Sequence, residues 1–152
     1  MKASASILIK SSLNDTFLAF SDVPNRARYL PKISKLTVNS LLIEGKGISW
    51  HEERQEDGIT KKGTMTISSF NKPRAFTITS HSGGIVFKTR YNFQYAGVNA
   101  TKVVVSIGGQ PKGLLSRFMG KFLSQNSVYM GQQLQNDLDS FKLAIERKDQ
   151  AS

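Results

Sequence analysis

From Ile33 to Ile107 the sequence is cut into six short runs of period-two patterning, and after Pro111 it becomes one proline-free stretch with a helical apolar stripe. That succession constrains the fold more than any other feature, because side chains alternate across a strand but return every three to four residues on a helix. The runs lie near Ile33 to Leu42, Gly47 to Gln55, Thr60 to Phe70, Ala75 to His81, Val86 to Tyr95 and Thr101 to Ile107. Between them stand Glu44-Gly45, Asp57-Gly58, Asn71-Lys72-Pro73, Ser82-Gly83-Gly84 and Ala96-Gly97-Val98-Asn99, rich in residues that accept positive φ or preset a turn. Connections this short join antiparallel neighbours, since parallel strands need a long crossover.

Upstream, a strand over about Ser4 to Lys10 runs into Ser11-Ser12, where a serine can cap a helix through Leu13, Phe17, Leu18 and Phe20. A second short helix starts near Asp22-Val23-Pro24, with Pro24 in its first turn, and ends before Pro31. Downstream, Gln110-Pro111 and Gly113 mark a loop, and Lys112 to about Arg147 carries Leu115, Met119, Phe122, Leu123, Met130, Leu134, Leu138, Phe141 and Ile145 at helical spacing. A helix of roughly 35 residues spans about 50 Å, so it crosses the whole sheet or breaks near Gly120 or Gly131. The order predicts an α+β chain with a seven-stranded antiparallel sheet, two short helices between strands 1 and 2, and a long C-terminal helix laid across the sheet.

The length, 152 residues, suits a single domain over 1–152, and 39% hydrophobic content with 21% charge lies outside the disordered regime. The absence of cysteine excludes disulfides, thiolate metal sites and a cysteine nucleophile, and fits a reducing, cytoplasmic setting. Neither a signal peptide nor a membrane anchor is legible. The formal charge of +10 would attract anions, but the basic residues are spread singly and in pairs from Lys2 to Lys148, so a solvated surface is expected rather than a nucleic-acid arm.

Three groups of residues have chemistry to offer. Alternation puts Ile48, Trp50, Glu52 and Arg54 on one strand face, so an apolar pair shares its side with a carboxylate and a guanidinium. Either these two charges lie past the edge of the core, as a solvated strand end near Asp57-Gly58, or they form a hydrogen-bonded pair inside a cavity and serve as polar anchors for a ligand. Glu52-Glu53 and Glu56-Asp57 are expected to be solvent-exposed and ionised. Phe87, Thr89, Tyr91, Phe93 and Tyr95 make one face of a strand aromatic and inward, as a packing row or a cavity wall. Gly120, Gly131 and the small or polar residues at 124–127 and 132–133 interrupt the helix stripe and leave room beneath it. His51 and His81 stand apart without metal-ligand spacing. No nucleophile elbow, phosphate loop or dinucleotide fingerprint occurs, Gly83-Gly84 and Gly108-Gly109 read as turns, and neither a metal nor a cofactor is expected.

The element order and several strings resemble the START-like superfamily, also called SRPBCC, and its polyketide cyclase/dehydrase-like branch. They are Ile7 and Ile9; Asp22 with Tyr29-Leu30-Pro31-Lys32-Ile33; Gly45-Lys46-Gly47-Ile48-Ser49-Trp50-His51-Glu52-Glu53-Arg54; Lys72-Pro73-Arg74-Ala75-Phe76; Gly113-Leu114-Leu115; and Leu138, Phe141 and Glu146. The resemblance implies a helix-grip, Bet v 1-like fold with a cavity under the long helix, and no particular activity. The cavity would be lined by Phe17, Tyr29, Trp50, Phe76, Ile78, Phe87, Tyr91, Met119, Leu123 and Met130, with Glu52, Arg54 and His81 as polar anchors. The function expected first is binding or transport of an apolar small molecule such as a lipid, isoprenoid, polyketide or aromatic compound. The alternatives are a cyclase or dehydratase using His81, Tyr91 or Glu52 as acid or base, and a basic module on an anionic membrane surface or an acidic protein partner.

Overall fold

The seven strands form a single antiparallel sheet in the order β1-β7-β6-β5-β4-β3-β2, so the chain's first and second strands are the two edges. The computed structural model describes residues 2–42, 44–111 and 126–151. The strands are β1 (Lys2–Ile9), β2 (Ile33–Val38), β3 (Ser49–Glu56), β4 (Ile59–Asn71), β5 (Ala75–Ser82), β6 (Ile85–Gly97) and β7 (Ala100–Pro111). Between β1 and β2 run helix α1 (Leu13–Ser21), a 3-10 turn (Val23–Asn25) and the one-turn helix α2 (Arg26–Tyr29); α3 (Ser127–Ala151) closes the chain. This is the helix-grip arrangement.

Local chemistry explains most boundaries. Ser12 caps α1, its hydroxyl accepting from the Asp15 amide at 3.2 Å, and Pro24 sits in the 3-10 turn where no backbone donor is needed. The β3–β4 hairpin turns on Asp57 (φ 53°) and Gly58 (φ 77°), the doubly left-handed pair that a two-residue turn between right-twisted strands demands.

Two expectations are corrected. β2 stops at Val38, and Leu41 and Leu42 are exposed, because β3 pairs with it only as far as Trp50 opposite Val38. β7 continues through Gly108 to Pro111, where a turn and a loop were expected, because β6 starts at Ile85 and supplies ladder partners along that whole length. The first part of the expected long helix, 112–125, including Met119, Gly120 and Leu123, lies outside the described residues.

The inner sheet face meets α1 and α3. Leu134, Leu138, Phe141 and Ile145 form the buried stripe of α3, and Gly131 faces β1, where a Cβ would stand in ordinary contact with Ser4 O at 3.9 Å and Ala3 Cβ at 4.0 Å. Farther along, Lys142 Nζ donates to Leu8 O at 2.7 Å and the Lys10 amide donates to Glu146 Oε1 at 3.1 Å, tying the helix to the end of β1. At this end the interior is solid. Phe17 meets Phe70, Phe76 and Phe93 edge-on at 5.3, 5.7 and 5.1 Å, while Phe20 stacks on Phe141 at 3.9 Å.

Candidate functional site

At the other end of the sheet the aromatic packing gives way to a cavity of about 190 Å³ between the inner faces of β3 to β7 and the start of α3. The strand registers explain its shape. Trp50 opposes Met65, Glu52 opposes Gly63 and Arg54 opposes Lys61, so the inward row of β3 changes from apolar to charged just where β4 has a residue without a side chain. One wall is apolar, with Met65, Ile78, Phe87, Ile107, Met130 and Leu134; the facing end carries Arg26, Glu52, Arg54, Glu56, Lys61 and Asp137. Ser80, Ser82, Thr89 and Tyr91 add hydroxyls to the lining.

The charged residues form one chain of contacts. Glu52 Oε1 accepts from Arg26 Nε at 2.9 Å and from Trp50 Nε1 at 3.1 Å, and its Oε2 accepts from Arg54 Nε at 2.8 Å. Arg54 Nη1 donates to both oxygens of Asp137, at 3.1 and 2.9 Å, and lies 3.7 Å from Glu56 Oε1. Glu56 Oε2 in turn accepts from Lys61 Nζ at 2.9 Å. Glu52 is 2% exposed, so neither charge of the Arg26–Glu52 pair is dissolved in bulk water. Such a pair holds only where further hydrogen bonds satisfy its remaining atoms, as Trp50 and Arg54 do here.

Burial alone would raise the Glu52 carboxyl, but the charges of Arg26 and Arg54 and the bonds from Arg54 and Trp50 outweigh it and hold the group down to about 2. The Arg54 guanidinium is shifted upward: burial opposes its charge, while Asp137 and Glu52 more than restore it. Burial pushes the Tyr91 phenol up as well, against the nearby positive charges of Arg26 and Arg54. The deepest carboxylate is thus fixed ionised and the deepest phenol fixed protonated.

The residues named from the sequence are distributed unevenly. Ile78, Phe87, Tyr91 and Met130 line the cavity together with Glu52 and Arg54. Phe17, Trp50 and Phe76 are instead sealed at 0%, 0% and 1% exposure, because Phe17 on α1 packs against Phe76 and Arg26 of α2 lies over the Trp50 ring. Tyr29 stacks on Phe141 at 5.5 Å and borders a separate surface hollow beside Asp22 and Lys148. His81 is exposed on the outer face of the sheet: it pairs with Thr64 and Val86, whereas its neighbour Ser80 points inward. Met119 and Leu123 lie outside the described residues. The expectation that Glu52 and Glu56 are solvated turn carboxylates is also overturned, since both are buried by Arg26, Arg54 and Lys61.

Sequence reasoning missed Arg26, Lys61 and Asp137. Asp137 had a signal, being three residues from Leu134 on the same side of the helix, and Lys61 had another in its even spacing from Met65. Arg26 had none, because it meets Glu52 only through the packing of α2 over the sheet. Among the described residues no helix is long and apolar enough to cross a membrane, and no three or more His, Asp or Glu are grouped to hold a metal ion.

No model of a known protein family matches the sequence, and no curated protein matches it. Solved structures do. TTHA0849 from Thermus thermophilus superposes with a TM-score of 0.76 at 13% identity, over 97% of this chain and 99% of that one. The Zhui aromatase/cyclase from Streptomyces sp. R1128 gives 0.75 at 12% identity, over 97% of this chain and 94% of its own. A START superfamily protein from Mycobacterium smegmatis gives 0.63 at 10% identity, over 89% of this chain and 97% of its own. At such identities the likeness is one of backbone architecture, and on that ground the chain has the START/SRPBCC-like helix-grip fold.

Proposed function

We propose that this protein binds a small, mainly apolar molecule in the cavity between sheet and long helix, as a carrier or sensor rather than as an enzyme. The observation that carries the reading is the cavity itself, apolar on one side and hydrogen-bonding at one end, which is the usual constitution of a ligand pocket. An apolar cavity of roughly 150 Å³ accepts benzene. At about 190 Å³, the described space therefore suits a body of one or two rings or a short branched chain better than a long acyl lipid.

The charged end supports binding over acid–base catalysis. A general acid or base works best when its pKa lies near the working pH. Glu52 is held far below that range, Tyr91 is pushed above its ordinary value, and His81 is on the far side of the sheet. Native mass spectrometry on protein purified from its own host tests the proposal by comparing intact native mass with denatured mass. A retained small molecule supports it; a clean apo mass, together with failure to take up a neutral apolar dye, overturns it.

A second surface favours an additional role. The outer sheet face carries Lys2, Lys35, Lys62, Lys88, Arg90 and Lys102, all exposed, and Glu53 is the carboxylate among them, cross-strand from Lys35 and Lys62. We infer that this face docks the protein on anionic lipid, where a ligand could be loaded or delivered.

A further inference from the structure

The chain as a whole is formally +10, yet the described lining of its cavity is charge-balanced. Lys62, at the rim, belongs to the outer face and meets Glu53 there at 3.3 Å, and each of the other described cations in the lining has a lining carboxylate in contact: Arg26 with Glu52 at 2.9 Å, Arg54 with Glu52 and Asp137 at 2.8 and 2.9 Å, and Lys61 with Glu56 at 2.9 Å. Inside the cavity three cations face three carboxylates, so the excess positive charge resides elsewhere. A ligand anion entering this end would bring a fourth negative group among Glu52, Glu56 and Asp137. It would lose its hydration without gaining an uncompensated cation in return. A hydroxyl, ketone or amide faces no such conflict, because it can accept from a guanidinium or donate to a carboxylate, with the Tyr91, Ser80 and Thr89 hydroxyls close by.

Resting on the cavity-binding reading above, we propose that the cavity selects ligands with an uncharged polar head and rejects carboxylates and phosphates. Asp137 is the residue that sets this preference. It is the outermost acidic member of the buried chain, its side chain is 13% exposed, and it balances Arg54 on the side that faces α3. Removing its charge leaves Arg54 partly uncompensated and turns the end of the cavity cationic.

The test uses the two-ring fluorescent probe 1-naphthylamine, neutral at pH 7, displaced in turn by naphthalene-2-carboxamide and by naphthalene-2-carboxylate, two ligands of nearly equal shape that differ in charge. For the wild type the amide is expected to displace the probe at a concentration at least tenfold lower than the carboxylate. In D137N, with circular dichroism and Trp50 emission confirming the native fold, the ratio is expected to shrink by tenfold or to invert. If wild-type protein takes up no probe, the cavity-binding reading itself falls. If the probe binds but both compounds displace it alike, neither displaces it, the carboxylate displaces it better, or D137N leaves the ratio unchanged, the neutral-head inference alone is overturned.

Discussion

The Nε of Arg26 and the Oε1 of Glu52 lie 2.9 Å apart inside the protein, joining the one-turn helix α2 to the middle of β3 across 26 residues of sequence. Both side chains are withdrawn from water, at 6% and 0% exposure, so each is the other's principal solvent.

Glu52→Gln preserves the shape of this junction and removes its charge, leaving Arg26 and Arg54 around a neutral amide. Breaking one partner out of a buried ion pair costs about 3–5 kcal/mol. Urea denaturation should show a loss of that size with an unchanged m-value. A loss smaller than about 1 kcal/mol would show that the network is not an energetic unit.

The same carboxylate sets an acid limb. Its ordinary value is 4.5 and its folded value about 2, so below pH 4.5 the unfolded chain takes up a proton that the folded chain refuses. The contribution of Glu52 to stability is therefore fully present above the ordinary value and is lost as pH falls toward about 2. Glu146, also lowered against burial by Lys142 and the Lys10 amide, acts in the same direction with most of its effect screened by solvent. Stability measured against pH should fall through this window in the wild type, with a visibly shallower slope in E52Q.

The solid and hollow ends of the interior should respond oppositely to substitution. Phe17→Ala empties the centre of the aromatic cluster and should cost about 3–5 kcal/mol, while probe uptake at the far end persists in whatever fraction stays folded. Ser80→Leu grows an apolar side chain into the cavity, where space exists, so stability should change by less than about 1.5 kcal/mol while probe uptake is abolished. Undiminished uptake by S80L would place the probe somewhere other than this cavity.

The outer face predicts a salt-dependent association. Sedimentation with phosphatidylserine-containing vesicles should be seen at low ionic strength, fade as salt rises through the physiological range, and be absent with zwitterionic vesicles. Lys88→Glu combined with Arg90→Glu, both on the outer side of β6, should weaken it at least tenfold without altering dye uptake in the cavity. Binding that is insensitive to salt and to this double substitution would rule out the face as the docking surface.

Much of the architecture was legible because its signals are local. The Ser12 cap, the Asp57-Gly58 turn and the alternation of the strand runs each depend on a few neighbouring residues, and each was sufficient to locate its element. Strand ends were less legible, since the extent of β7 depends on where β6 begins. In the site, the inward side of β3 and β6 could be read from alternation, and His81 could have been excluded by the same rule, as it is out of phase with Ile78 and Ser80.

By itself the sequence determined the periods, the turns and hence the antiparallel sheet with its closing helix, because backbone geometry ties side-chain direction to spacing within an element. Only the tertiary structure decided which inward residues are sealed and which face open space, and that Glu52 is buried between two arginines rather than dissolved at a strand end. The reason is physical. Burial and pairing are set by the opposing layer, and α1, α2 and α3 bring Phe17, Arg26 and Asp137 to the sheet from positions that no local pattern connects to it.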